Sequence, residues 1–235
     1  MSFEKNIPKL LGIAYLVQFV ASLLSDPLHS AAVGAGSMSE NLVSIANNTM
    51  LLRMNIIFDL VTAVAITVMT VLLFLVLQKE NRTIALVALT FWVIEVIFLV
   101  VVTIGTNALI PLSLEYVQAG APDPSYFLTL GTLISGVYDF SFAIHILFFG
   151  LGGPLWYYLF YRSKQIPRYL SLWGLVLIAL MPIDVLLYLL GFGFEFIGRL
   201  LVLLPLIAYL PFEGVMGLWF IFKGLDDTDS NDKGE

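Results

Sequence analysis

Long apolar stretches separated by short polar segments set the pattern of this chain. Most of them reach the roughly 20 apolar residues that a helix needs to cross the hydrocarbon core of a bilayer. We assign spans to residues 10–24, 51–77, 83–107, 138–161, 169–190 and 199–222. The pattern therefore predicts an all-α membrane bundle of six transmembrane helices.

The apolar stretch that contains the fourth span is too long for one crossing. It covers residues 126–161, which is about 54 Å of helix at roughly 1.5 Å per residue. Gly131, Ser135 and Gly136 interrupt its first part. We therefore expect a separate short helix there, lying near the outer surface before the fourth span.

Composition agrees with a membrane protein. Hydrophobic residues make up 60% of the chain and charged residues 12%, whereas soluble domains are roughly half apolar and a quarter charged. Residues 1–225 are predicted to form a single transmembrane domain, and residues 226–235 a disordered acidic cytoplasmic tail. The net charge of −6 comes without a basic stripe, so we expect no nucleic-acid partner. The absence of cysteine excludes disulfides and cysteine nucleophiles.

The positive charges predict which helix ends face the cytoplasm. Nine of them fall on one side of the six-span arrangement: Lys5, Lys9, Lys79, Arg82, Arg162, Lys164, Arg168, Lys223 and Lys233. Only Arg53 and Arg199, both at outer helix ends, depart from this pattern. Because cytoplasmic loops are enriched in lysine and arginine, both termini are predicted to be cytoplasmic, in a multi-pass protein of the plasma membrane. A leader cleaved near residues 31–35 is the alternative to the first span, but the charge count favours a span.

Four blocks of sequence carry a resemblance to a known family. They are RMNIIFDLVTAVAI, FWVIEV, HILFFGLGGPLWYYLFYRSKQIPRYLSLWGLVL and LLPLIAYLPFEGVMGLWFIFKGL. The most specific parts are the turn at residues 162–168 and the ending at residues 211–224. Over nearly its whole length the chain resembles the bacterial and archaeal membrane family catalogued as domain of unknown function family 4386. The resemblance implies a six-helix integral membrane protein and brings no activity with it.

Polar and charged groups inside the spans are the candidates for function, because such groups are costly in hydrocarbon. Counted at about 1.5 Å per residue from the cytoplasmic helix ends, most of them lie in the outer half of the membrane. This placement predicts a polar cavity that opens to the outside. The candidate ligand-binding or proton-relay residues are Arg53, Asn55, Asp59, Glu95, Asp139, His145, Asp184, Arg199 and Glu213.

The charged residues nearest the outer rim are expected to pair with one another. Arg53 is predicted to hold Asp59 or Asp139 as a clamp between helices. Arg199 is predicted to hold Asp184, since a short linker joins their two helices. The alternative is that the two arginines bind an anion.

Glu95, near the middle of the membrane, is the residue most expected to carry function. His145 is the one basic group expected at a similar depth. An unpaired carboxyl in hydrocarbon gives up its charge, so we expect Glu95 to be protonated at neutral pH, as a structural hydrogen-bond donor or as a proton relay. Glu213 is expected to bond the backbone groups that Pro211 frees.

Glycines in the fourth span predict how it packs. Gly150, Gly152 and Gly153 leave part of that span without side chains. Neighbouring helices are therefore expected to approach it closely.

Recognised catalytic motifs are absent from the sequence. We expect no cofactor and assign no metal site, since a site at His145 would need carboxylates from Asp59, Glu95 or Asp139 as its other ligands. Three functions stay open: binding or transport of a small ligand or protons, a structural or accessory role with paired charges, and an intramembrane enzyme. The expected partners are the lipid bilayer and a small ligand or lipid in the outer cavity.

Overall fold

The structure, a computed structural model, describes residues 2–120, 125–191, 209 and 211–226. The described elements are helices: α1 (Ser2–Val33), α2 (Met38–Asn47), α3 (Thr49–Leu77), α4 (Arg82–Gln118), α5 (Ser125–Ser163) and α6 (Arg168–Leu189), followed by α7 (Pro211–Phe222). Five of them, all except α2 and α7, contain stretches long and apolar enough to cross a membrane. The first part of the predicted sixth span and the predicted acidic tail beyond residue 226 lie outside the described residues.

Two helices are much longer than a bilayer requires. Helix α4 has 37 residues and α5 has 39, or about 55 and 58 Å, against a hydrocarbon core of about 30 Å. Helix α4 continues past the predicted end of the third span near residue 107, through Pro111 to Gln118. The first turns of α5 run alongside this extension of α4.

The short helix predicted before the fourth span is not a separate element. Residues 125–163 form one continuous helix, and the separate short helix at this end of the bundle is α2. A Cβ at Gly131 would lie 2.7 Å from the sulfur of Met38. The glycine that we interpreted as a helix break therefore makes room for α2 against α5.

The five long helices and the shorter α7 pack as a ring. Helices α1 and α3, α3 and α4, α4 and α5, and α5 and α6 are neighbours. Helix α7 closes the ring between α6 and α1. On one side its Phe212 fills the space beside Gly174, and on the other a Cβ at Gly12 would lie 2.6 Å from the carbonyl oxygen of Gly217.

Large aromatic side chains fill the centre of the ring. Those under 2% exposed are Tyr15, Trp92, Trp156, Tyr157, Phe160, Phe212 and Phe220. The hydroxyls of Tyr15 on α1 and Tyr157 on α5 lie 3.0 Å apart and share a hydrogen bond across the centre.

The expected close packing at the glycines of α5 is confirmed. A Cβ at Gly150 would meet Pro182, and a Cβ at Gly153 would meet Ile178, both on α6. A Cβ at Gly152 would meet Trp92 on α4. The three glycines therefore hold α5 against two neighbours at once.

The described lysines and arginines, apart from Arg53, gather at one end of the bundle, which we call the basic end. Helix α1 begins there, α7 finishes there, and the α3–α4 and α5–α6 turns lie there. Arg162 pairs with Glu80 at 3.2 Å between the two turns. The backbone N–H of Asp226 donates to the carbonyl oxygen of Gln165 at 3.0 Å. We call the opposite end, where α2 lies, the acidic end.

Candidate functional site

Glu95 and His145 lie side by side in the interior. The Glu95 residue is 1% exposed, and its Oε1 lies 3.9 Å from Nδ1 of His145. The same Nδ1 lies 3.4 Å from the main-chain oxygen of Glu95. Glu95 Oε2 is buried and has no hydrogen-bond partner among the described residues. His145, the neighbour that helix depth alone predicted for Glu95, therefore lies beside it. One carboxyl oxygen of Glu95 has no hydrogen-bond partner among the described residues.

Glu213 supplies a second buried carboxyl from α7. It is 3% exposed, and the side chains of Tyr209 and Gln18 donate hydrogen bonds to it. Its described partners are side chains, and the backbone carbonyl that Pro211 frees, at residue 207, lies outside the described residues. Glu213 lies within electrostatic reach of Glu95.

A separate polar cluster joins α1 to α3 nearer the acidic end. The Ser25 hydroxyl donates to the carboxylate of Asp59. The amide nitrogen of Asn55 lies 2.6 Å from Ser25 Oγ and 3.3 Å from Asp59 Oδ2. Ser25 is 1% exposed and Asn55 is 3% exposed. Asp59 is therefore held by uncharged donors from two helices.

A row of stacked rings connects the two regions. The His29 ring lies flat on Tyr138, with centroids 4.6 Å apart and an interplanar angle of 6°. Tyr138 stacks on Phe142 at 6.3 Å, and Phe142 contacts the ring of His145 at 5.7 Å. The rings of α5 recur every three or four residues, so they follow one face of the helix.

The predicted clamp at Arg53 is wrong. Arg53 is exposed, and the ion pairs among the described residues are Glu95–His145 and Glu80–Arg162. Six residues separate Arg53 from Asp59 on α3, which turns their side chains about 120° apart. Asp59 instead faces Ser25 on α1. Asp139 is exposed at the surface of α5.

The other predicted clamp falls outside the described part of the chain. Asp184 belongs to α6, but its side chain is not described, and Arg199 lies outside the described residues. Among the residues that are described, no three histidine or acidic side chains group closely enough to hold a metal ion.

A groove of about 670 Å³ runs between α1 and α3. It is lined by Leu10, Ile13, Ala14, Val17, Ile57, Leu60, Val61, Val64, Ala65, Val68 and Leu72. Most of these side chains are exposed on the outside of the ring. The groove is therefore an apolar, outward-facing surface and differs from the polar cavity predicted from the sequence.

Comparison with known proteins places most of the chain in one family. A family model described as a domain of unknown function (DUF4386) matches residues 10–224. No curated protein matches the chain. No solved structure matches it either. The matched range includes Glu95, His145 and Glu213 together with the Ser25–Asn55–Asp59 cluster.

Proposed function

The chain belongs to the DUF4386 family, and we propose that it is a multi-pass membrane protein that moves protons, alone or with a small ligand, through buried carboxyl groups reached from outside. The observation that carries this proposal is the state of Glu95. Its side chain is buried within a membrane-spanning helix, with one oxygen beside His145 and the other without a described partner. Ionisable residues inside membranes mark proton relays and ligand sites by default.

The hydrogen bonding of Glu95, Glu213 and Asp59 favours this function over a purely structural one. Asp59 is bonded by Ser25 and Asn55, as a structural clamp should be. Glu213 likewise has its own donors. Of these three acids, only Glu95 has a buried oxygen without a hydrogen-bond partner among the described residues, which costs about 1–3 kcal/mol. A group retained at such a cost is expected to bind something in the course of function.

A carboxyl group can pass a proton to a neighbouring imidazole without a large cavity between them. Either group can hold the proton while the other accepts it, given a short approach of their polar atoms. The present separation of 3.9 Å is slightly longer than a hydrogen bond, so a small shift of α4 against α5 would make the contact. Proton transfer therefore fits the tight packing around Glu95.

The incomplete burial of α5 supports access to Glu95 and His145 from the acidic end. Its inner face from Tyr138 to Phe149 is only partly buried, and the His145 side chain is 12% exposed. The ring row from His29 to His145 follows the same face. This path matches the outward opening that the distribution of polar residues predicts.

We also propose six spans with both termini cytoplasmic, in the plasma membrane. Support comes from the two ends of the bundle: a Cβ at Gly224 would lie 3.9 Å from Pro8, so α1 begins where α7 finishes. Helix α6 starts at the basic end and leads to the acidic end. The chain therefore has to cross once more, as the sixth span, before α7 finishes at the basic end. Reporter fusions after Lys79 and Arg168 should report cytoplasm, and a fusion near Glu40 should report the outside. Any one of them on the other side would contradict six spans.

The proton function is tested with purified protein in liposomes that enclose a pH-sensitive dye. A potassium gradient with valinomycin sets the interior negative, and wild-type protein should then acidify it faster than empty liposomes do. Glu95→Gln, which keeps the shape of the side chain, should abolish this difference. Glu80→Gln is the matched control, since Glu80 lies in the α3–α4 turn. Wild-type flux equal to that of empty liposomes would contradict the proposal.

A further inference from the structure

The groove between α1 and α3 is apolar along its whole length, since its lining consists of alanine, valine, leucine and isoleucine. It faces outward from the ring, and both helices are long and apolar enough to cross a membrane, so it opens toward the hydrocarbon of the bilayer. We propose that the groove binds one acyl chain of an anionic phospholipid, with the lipid phosphate at Lys9. The site is separate from the proton path at Glu95, which lies inside the ring.

Two alanines form the floor of the groove. Ala14 on α1 is 6% exposed and Ala65 on α3 is 5% exposed, and both line the groove. The longer side chains around them are exposed, among them Ile13 and Val64. The two small side chains therefore leave a depression between raised walls.

The walls of the groove are pre-formed. The β-branched residues that line it are Ile13, Val17, Ile57, Val61, Val64 and Val68. A valine or isoleucine side chain in a helix strongly prefers one rotamer, so these walls keep their shape without a ligand. A site that needs no reordering binds at a lower entropic cost. We therefore expect a lipid chain to stay here longer than on the rest of the helix surface.

The length of the groove matches a single lipid chain. On α3 it extends from Ile57 to Leu72, which is about 22 Å of helix at roughly 1.5 Å per residue. One leaflet supplies half of a hydrocarbon core of about 30 Å. The groove is therefore longer than one leaflet is deep, and it accommodates an acyl chain over its full length.

Unpaired positive charge lies at the basic end of the groove. Lys9 precedes Ile13 by four residues on α1, which places both on one face of the helix. Lys9 is exposed and forms no ion pair among the described residues. Lys79, also exposed, follows α3 at the same end, whereas the neighbouring acid Glu80 pairs with Arg162. Lysines at the membrane surface attract anionic headgroups, so the charge selects a phospholipid that is net negative.

A second copy of the chain fits the groove less well than a lipid does. Two copies in one membrane have the same orientation, so the two-fold axis of a dimer runs along the membrane normal. A dimer through this face would bring the Lys9 side chains of both copies to the same end. Helices in lipid also gain nothing by burying apolar surface, because lipid chains are equally apolar. An acyl chain contacts the same walls without repulsion between lysines.

The test is native mass spectrometry of the purified protein in detergent, after addition of phosphatidylglycerol or phosphatidylcholine with identical acyl chains. Wild type should retain a single phosphatidylglycerol, about fivefold more often than phosphatidylcholine, because a lysine at the surface favours an anionic lipid by roughly that factor. Ala65→Leu, which fills the floor of the groove, should lose both lipids. Ala179→Leu is the matched control, since Ala179 is exposed on α6.

Replacement of Lys9 tests the headgroup separately, at an exposed position where folding is not at risk. Lys9→Gln should bind the two lipids equally, while Lys164→Gln, exposed in the α5–α6 turn, should keep the preference of wild type. Wild type that retains no lipid or binds both equally would overturn the proposal. Unchanged binding by Ala65→Leu, or a dimer that Ala65→Leu dissociates, would overturn it as well. These spectra do not measure proton flux, so such a result leaves the proposed proton function standing.

Discussion

The indole ring of Trp92 on α4 occupies the space where a side chain at Gly152 on α5 would have to stand. A Cβ there would lie 2.8 Å from Trp92 Nε1 and 3.3 Å from the carbonyl oxygen of Ala88. The same Nε1 donates to the carbonyl oxygen of Phe149 at 3.3 Å. Glu95 lies less than one turn from Trp92, so this contact sets the distance between α4 and α5 at the site.

Gly152→Ala is therefore expected to destabilise the protein. Overpacking at a tight contact costs about 1–3 kcal/mol, which should lower the melting temperature in detergent. Gly136→Ala is the matched control on the same helix, because a Cβ there would meet nothing within 4 Å. That variant should be neutral or gain up to about 1 kcal/mol. Equal losses from both variants would contradict the contact.

Two replacements of Glu95 distinguish the contribution of its side-chain shape from that of its ionisable proton. Glu95→Gln should melt close to wild type, because it keeps the size and a donor, whereas Glu95→Ala should lose about 2–4 kcal/mol through the cavity and the stranded partner. Infrared difference spectroscopy near neutral pH should show a carboxylic-acid band that Glu95→Gln lacks. An ionised Glu95 in that spectrum would contradict the protonated state that we expect.

Removing Arg53 should have little effect, in contrast to what the sequence alone suggested. The side chain is exposed and makes no ion pair among the described residues, so Arg53→Ala should change stability by no more than about 0.5 kcal/mol. Ser25→Ala should cost about 1–3 kcal/mol, since it strands buried partners at Asn55 and Asp59. Chemical denaturation of both variants in detergent provides the comparison. A larger loss from Arg53→Ala than from Ser25→Ala would restore the clamp.

Acid should loosen the start of α2. The backbone N–H of Ser37 and its hydroxyl donate to the exposed carboxylate of Glu40 at 2.7 and 2.9 Å. These bonds favour the charged form and lower the pKa of Glu40 below its usual value. The stabilisation is therefore complete above the usual glutamate pKa and is lost as the pH falls through the lowered one. The protection of α2 amides against hydrogen exchange, corrected for the intrinsic rate at each pH, should fall over that acidic range in wild type, and Glu40→Gln should remove the dependence.

The sequence predicted the helices well where periodicity and apolar length decide, and poorly at their ends. Residues 51–77 and 169–190 were placed within two residues of α3 and near the bounds of α6. The C-terminal end of α4 and the N-terminal end of α5 were missed because they pack against α2. Gly131 is the example: its missing side chain serves a neighbour that lies almost a hundred residues earlier in the chain.

Part of the candidate site could also be predicted from the sequence. Depth along the helices brought Glu95 and His145 together correctly, because straight helices convert position into height. Gln18 and Ser25 were missed because the candidates were chosen mainly by charge, and glutamine and serine side chains are uncharged. A signal for them exists: they lie seven residues apart, on the face of α1 that also buries Leu11 and Tyr15. Which acid each would bond depends on tertiary packing and cannot be read from one helix.

The close approach of Gly12 to Gly217 means that the ring is closed by two helices that lie about two hundred residues apart in the chain. During synthesis α1 enters the membrane early, while α7 follows about two hundred residues later. Until then Gln18 lacks the carboxylate of Glu213 that it bonds in the finished protein. Helix α1 therefore stays in the membrane without this hydrogen bond until α7 has been made, and the buried site is completed when α7 docks.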